Sequence, residues 1–284
     1  METQFKLFRK CLIVVLLFGV FACSQDEEAL SNDGVAIEKS KDYLANRSSN
    51  VINVFKGPEV QYGSGKARSW ICVNSAGFPE EIGIELTSKV FNDLSLLHEG
   101  HEMTVVLPLH KKAKELTPFE HLGLNYQPAG HGPVFWEEHF DFHFYTITNE
   151  QRLLIPDYDG SNQSIVNAFN YFPDMDKMPT DYFKFPGPGG VYGMMGKHWV
   201  PADWQTGYNP FTHVMILGTY AQMNNFIEPM VTVEYLLSGD SFSGDYSQPR
   251  KFEEPGNNYP TKYNIFRNEK TGNMYITLSD FVTR

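Results

Sequence analysis

The chain predicts a mainly β fold, α+β at most: one antiparallel domain, barrel-like or a sandwich, with a few short helices. Three observations carry this expectation. Apolar and polar residues alternate with the period of two that a half-buried strand requires, most plainly over His139–Tyr145 and over residues 119–126. Turn-forming clusters at 75–79, 222–224 and 269–273 separate segments that can pair as hairpins. A clear helical pattern is confined to residues 87–97, where Thr87 or Ser88 can cap the first turn.

In chain order, residues 1–22 read as a lipoprotein signal peptide. Lys6, Arg9 and Lys10 form a basic start, residues 12–20 an apolar run too short for a comfortable membrane span, and Val20-Phe21-Ala22-Cys23 resembles a lipoprotein processing box. Cys23 is then the lipidated residue, anchoring the chain to a membrane without threading it through. Ser24 after that cysteine resembles lipoproteins sent to the outer membrane. Gln25-Asp26-Glu27-Glu28 resembles a surface-export signal, so the expected location is the outer membrane, on its periplasmic or its exposed side. Residues 23–57 read as a polar tether and 58–284 as a single β-rich domain.

Strands are expected at 67–74, 81–86, 103–109 and 119–126, with an exposed connection at 110–114. Residues 156–190, rich in Pro, Gly, Asp, Tyr and Phe, read as a long irregular excursion packed by its own aromatics, a place for a lid or a partner surface. Two hairpin-like pairs follow, 211–221 with 225–237 and 263–267 with 274–281. Pro229 cannot donate to a sheet ladder, so its segment should be an edge, a bulge or a bend.

Charge excludes some functions. The formal net charge is −11, and loss of Lys6, Arg9, Lys10 and Glu2 with the signal takes it to −13, which argues against nucleic acid as a partner. Of the three cysteines, Cys11 leaves with the signal, Cys23 carries lipid, and Cys72 stands alone in an apolar run, so no disulfide framework exists. There is no Gly-x-Ser-x-Gly elbow, and Gly187-Pro188-Gly189-Gly190 places proline where a phosphate-binding loop needs free N–H groups.

Chemistry concentrates on His139–Tyr145. Read as a strand, it sets His139, Asp141, His143 and Tyr145 on one face and Phe140, Phe142 and Phe144 on the other. The two histidines lie ~13 Å apart along a straight strand, too far to share an ion, whereas same-face neighbours lie ~6.6 Å apart. Any metal must therefore recruit ligands from other strands. The expected set is His131, His139, His143, His198 and Glu228, with Asp141 as ligand or as acceptor orienting an imidazole, and with His121 and Tyr145 behind them. If 119–126 pairs with this strand, His121 and His131 approach His139 and Asp141, and the glycines flanking His131 allow a tight loop that aims its ring inward. Such nitrogen and oxygen donors suit divalent zinc, iron or manganese. A metal-free acid–base pair of a histidine with Asp141 or Glu228 is the competing chemistry.

Five motifs occur in order: Pro118-Phe119-Glu120-His121, residues 125–133 with Gly130-His131-Gly132-Pro133, the His139–Tyr145 run, Met195-Gly196-Lys197-His198-Trp199 and Phe226-Ile227-Glu228-Pro229-Met230. Over residues 60–240 the chain thereby resembles a family of exported bacterial proteins of unknown function typified by a member from Thermus. The resemblance implies a shared site and no particular reaction. The site type also resembles that of cupins, by analogy alone. The functional expectation is an exported, lipid-anchored protein with a His/carboxylate metal site, a metal-dependent oxygenase or hydrolase of a small molecule. The alternative is a non-catalytic surface lipoprotein that binds a ligand or assembles with itself through its aromatic loops, its histidines serving structure.

Overall fold

The computed structural model describes residues 52–100, 103–132, 134–206 and 211–284. Expectations for the signal peptide, Cys23 and most of the tether lie outside these residues. Two antiparallel sheets pack as a sandwich. One runs β1 (Ile52–Lys56), β3 (Gly65–Asn74), β4 (Pro79–Leu86), β16 (Met274–Ser279), β15 (Lys262–Arg267), β13 (Phe242–Asp245), with β2 (Val60–Tyr62) beside β3. The other runs β5 (Val105–Pro108), β6 (His121–Gln127), β7 (His139–Tyr145), β12 (Met223–Thr232), β11 (His213–Tyr220), β10 (Gly196–Pro201), β8 (Tyr182–Lys184), with β9 (Val191–Tyr192) beside β10. A two-stranded ribbon joins β14 (Asn258–Tyr259) to β17 (Val282–Thr283). Among the described residues neither main sheet closes on itself, so of the two expected architectures the sandwich forms and the barrel does not.

Alternation decides how the sheets meet. Phe140, Phe142 and Phe144 of β7, with Leu122 and Leu124 of β6, face Ile71, Ile82, Ile84 and Ile276 of the other sheet, all completely buried. Each such side chain contributes about 1.5–3 kcal/mol through burial. The opposite face of β7 is buried too, which its sequence does not announce. A second apolar cluster, including Phe135, Ile147, Phe169, Met195, Trp204 and Phe211, covers it.

Several elements depart from expectation. The tether does not reach residue 57, because Ile52–Lys56 pairs in full with Trp70 to Asn74 of β3. Residues 87–97 form two 3-10 turns, Ser88–Asn92 and Leu94–Leu96, instead of one helix. Extended Asp93 separates them, and the Thr87 hydroxyl is taken by the Lys66 amide. The supposed exposed connection is helix α1 (Lys111–Leu116), capped by His110 Nδ1 accepting from Lys112 N. After α2 (Asn149–Leu153), the long excursion contains helix α3 (Gln163–Asn170), capped by Asn162, as well as β8. β12 stops at Thr232, whose hydroxyl caps α4 (Val233–Ser238) where a strand was expected to continue.

Candidate metal centre

β7 is the spine of the site. β6 pairs with it so that Gln127 stands opposite His139, Asn125 opposite Asp141, Gly123 opposite His143 and His121 opposite Tyr145. On its other side β12 places Met230 opposite Asp141 and Phe226 opposite Tyr145, a register that brings Glu228 opposite His143. β10 lies two strands further, with His198 opposite Gly218 of β11. Gly218 has no side chain to block this crossing, and a Cβ there would lie 2.1 Å from the Phe226 ring.

The expected residues assemble, but into two groups instead of one. His131, His139 and Asp141 make the first; His143, His198 and Glu228 make the second, each with its ligand-type atoms within 4.8 Å of one another. In the first, His139 Nε2 lies 3.1 Å from Asp141 Oδ1 and 3.1 Å from His131 Nε2, which is 3.9 Å from Asp141 Oδ2. In the second, Glu228 Oε1 lies 3.3 Å from His143 Nε2 and Oε2 lies 3.4 Å from His198 Nε2. Ligand atoms ~2.0–2.2 Å from a tetrahedral ion stand ~3.4 Å apart, close to these separations. The distance that keeps His139 and His143 from sharing an ion is what divides the site.

The loop that delivers His131 turns at Gly130, whose φ of 60° and close approach to the main chain of Phe135 and Trp136 leave no space for a side chain. His131 and Phe135 then exchange main-chain hydrogen bonds, fixing the ring beside His139. His121 does not come near His139 and Asp141. In the observed register Gln127 takes that place, while His121 stacks on Tyr145 at 4.6 Å and Tyr145 on His143 at 5.1 Å.

Tautomers follow from the outer hydrogen bonds. His139 Nδ1 lies 2.6 Å from the Glu137 carbonyl and His198 Nδ1 3.1 Å from the Gly190 carbonyl, so in each neutral ring Nδ1 carries the proton and Nε2 offers a lone pair. Metal-bound imidazoles are oriented in this manner. Gln127 Nε2 donates to Asp141 Oδ2 at 2.9 Å, holding the carboxylate in place.

Without a metal the two groups differ in charge. Burial opposes ionisation of Asp141, but His139 and His131 outweigh it and hold the carboxyl well below its ordinary range. Burial likewise lowers His139, and the Asp141 charge more than restores it, leaving that ring raised. In the second group burial pushes His198 down to about 4, helped by His131, and burial plus the Asp141 charge pushes Glu228 well above its ordinary value. The shifts favour the charged pair in the first group and the protonated acid in the second. A divalent cation in each group would take the place of that group's proton.

Sequence reasoning missed four contributors. Gln127 was legible, since it continues the polar face of His121 and Asn125. Tyr192 gave no signal. It sits between the groups, its ring 5.6 Å from that of His131 and 5.2 Å from that of His198. The other two are Gly218 and Lys197, whose buried ammonium donates to the Gly187 and Gly189 carbonyls at 2.8 and 2.7 Å and steadies the loop that anchors His198. A cleft of about 10 Å³, about one water in size, borders His131, Tyr192 and His198 and so touches one histidine of each group. Comparison with family models, curated proteins and solved structures gives no match to this chain.

Proposed function

We propose that the chain is an exported, lipid-anchored metal-binding protein, with one divalent zinc, iron or manganese ion in each His/carboxylate group, acting as a metal-dependent oxygenase or hydrolase on a small molecule. One observation carries the metal reading. In each group a histidine spends Nδ1 on a main-chain carbonyl and aims Nε2 at a buried carboxylate. An imidazole lone pair facing a carboxylate repels it unless a proton or a cation lies between them. Two histidines and one carboxylate form a set common to catalytic zinc and non-haem iron. When bound, such an ion supplies Lewis acidity toward an oxygen ligand and lowers the pKa of bound water. Gln127 and the carbonyls of Glu137 and Gly190 hold the donors, and the cleft at Tyr192 limits what reaches them to small molecules. Export and anchoring rest on residues 1–22 and Cys23 and on the family resemblance.

A second reading is favoured by burial alone. His139, Asp141 and His143 are completely enclosed, and a His139–Asp141 ion pair satisfies both groups without a metal. The histidines then serve structure in a non-catalytic surface lipoprotein.

Elemental analysis of untagged protein separates the readings. Wild type exposed to zinc, iron and manganese should retain about two equivalents, and His139→Ala and His198→Ala about one each with folding intact. Less than about a tenth of an equivalent in wild type would leave only the structural reading.

A further inference from the structure

A second cavity lies away from the histidines. It encloses about 300 Å³ beyond Phe226, between the ends of β7 and β12 and the arm of residues 246–260. Its walls are aromatic and aliphatic: Phe119, Leu217, Ile227, Tyr246 and the Phe252–Tyr259 pair, whose rings lie 4.4 Å apart. This is the lower end of the volume range of small-molecule sites, which are mostly apolar with a few placed polar groups.

Charge and hydrogen bonding narrow the occupant. Lys177, Glu253 and Glu254 are the charged lining residues, which together leave a net charge of −1. Lys177 Nζ is engaged by Glu253 at 2.5 Å, so no lining cation is left over for an acidic ligand. Most polar groups nearby are already used internally. Tyr246 Oη donates to the Pro260 carbonyl at 2.7 Å, Gln248 Nε2 to the Tyr246 carbonyl at 3.1 Å and Asn224 Nδ2 to the Lys177 carbonyl at 2.9 Å. Recognition must therefore come from apolar contact and ring stacking, and a carboxylate or sulfonate placed beside Glu253 and Glu254 would lose its hydration without a counter-charge.

We propose that this cavity is a binding site for a neutral or cationic compound built on a single or fused ring. The site stands independently of the metal reading. Phe226 is the wall they share: it borders the cavity, and its ring lies 4.9 Å from that of His143 and 5.1 Å from that of His198.

The probe is N-phenyl-1-naphthylamine, which is neutral and brightens in apolar surroundings, with 8-anilinonaphthalene-1-sulfonate as its anionic counterpart. The neutral probe should saturate at one per chain, and the sulfonate should bind at least about tenfold more weakly. Ile227→Trp and Pro249→Trp fill the cavity from opposite walls; each should weaken the neutral probe at least about tenfold, with folding checked by circular dichroism. Two variants are used so that a folding failure in one leaves the other as the test. Absence of saturable binding, undiminished binding in the folded variants, or a sulfonate bound as tightly as the amine would overturn the proposal. Removal of metal by a chelator should leave probe affinity within about twofold, whereas a change of about tenfold or more would place the probe at the histidines and overturn it too.

Discussion

At the scale of single residues, the protons on His139 and Glu228 make metal binding a pH-dependent exchange. Both groups are raised, so each keeps its proton to a higher pH than an ordinary histidine or glutamate, and a metal binding there must displace it. Asp141 is already ionised, and His198, lowered to about 4, is already neutral, so neither adds a proton at neutral pH. Zinc titrations from pH 8 to pH 6 should show affinity falling as pH falls at each group, because the raised His139 and Glu228 regain their protons. Glu228→Gln should abolish the pH dependence of the second group alone. Affinity unchanged across that range would contradict the assignment of protons.

A separate buried acid tests the same physics without a metal. Glu81 is enclosed in the other sheet, accepts from the Thr277 hydroxyl, and is pushed by burial to about 7. Its folded value exceeds its unfolded value, so its contribution to stability is present below about pH 4.5 and is lost as pH rises toward 7. Glu81→Gln should match wild type near pH 4.5 and exceed it at pH 8 by up to about 3 kcal/mol in urea unfolding. Equal stability at both pH values would place the acid in a wetter setting than the fold describes.

At the scale of elements, legibility followed the strength of the local pattern. β6 and β7 were readable because their apolar faces are continuous and their polar faces hold residues with few structural uses. β1 was not, since five residues after a polar stretch carry little weight until β3 is known to pair with them. The helices were missed where one capping side chain decides the outcome, as with Asn162 for α3 and Thr232 for α4. The loop from Gly187 to Gly190 read only as unsuited to phosphate, yet it positions a candidate ligand: Lys197 ties its carbonyls and His198 is anchored to Gly190. Burial lowers the Lys197 ammonium to about 8, leaving it mostly charged at pH 7. Lys197→Met should leave two carbonyls unbonded, cost about 2 kcal/mol, and weaken metal at the second group while sparing the first. Equal weakening of both groups, read by competition with a fluorescent chelator, would show that the loop acts on the whole site.

At the scale of the molecule, the sandwich explains why one histidine ladder becomes two sites. A packed sheet keeps β7 extended, so His139 and His143 are held apart and must find partners on different neighbours: the β6–β7 loop for one, β12 and β10 for the other. The spacing that separates the two histidines was legible, but the partners each one finds were not, because they depend on strand order; β10 reaches β7 only through β11 and β12. The most direct test of two His/carboxylate metal sites is an anomalous difference map from zinc-soaked crystals at the zinc edge. The account predicts two peaks, one within about 2.2 Å of ligand atoms from His131, His139 and Asp141 and one equally close to His143, His198 and Glu228. A map with no peak on this face of β7, or with zinc bound only at surface histidines such as His98, would contradict it.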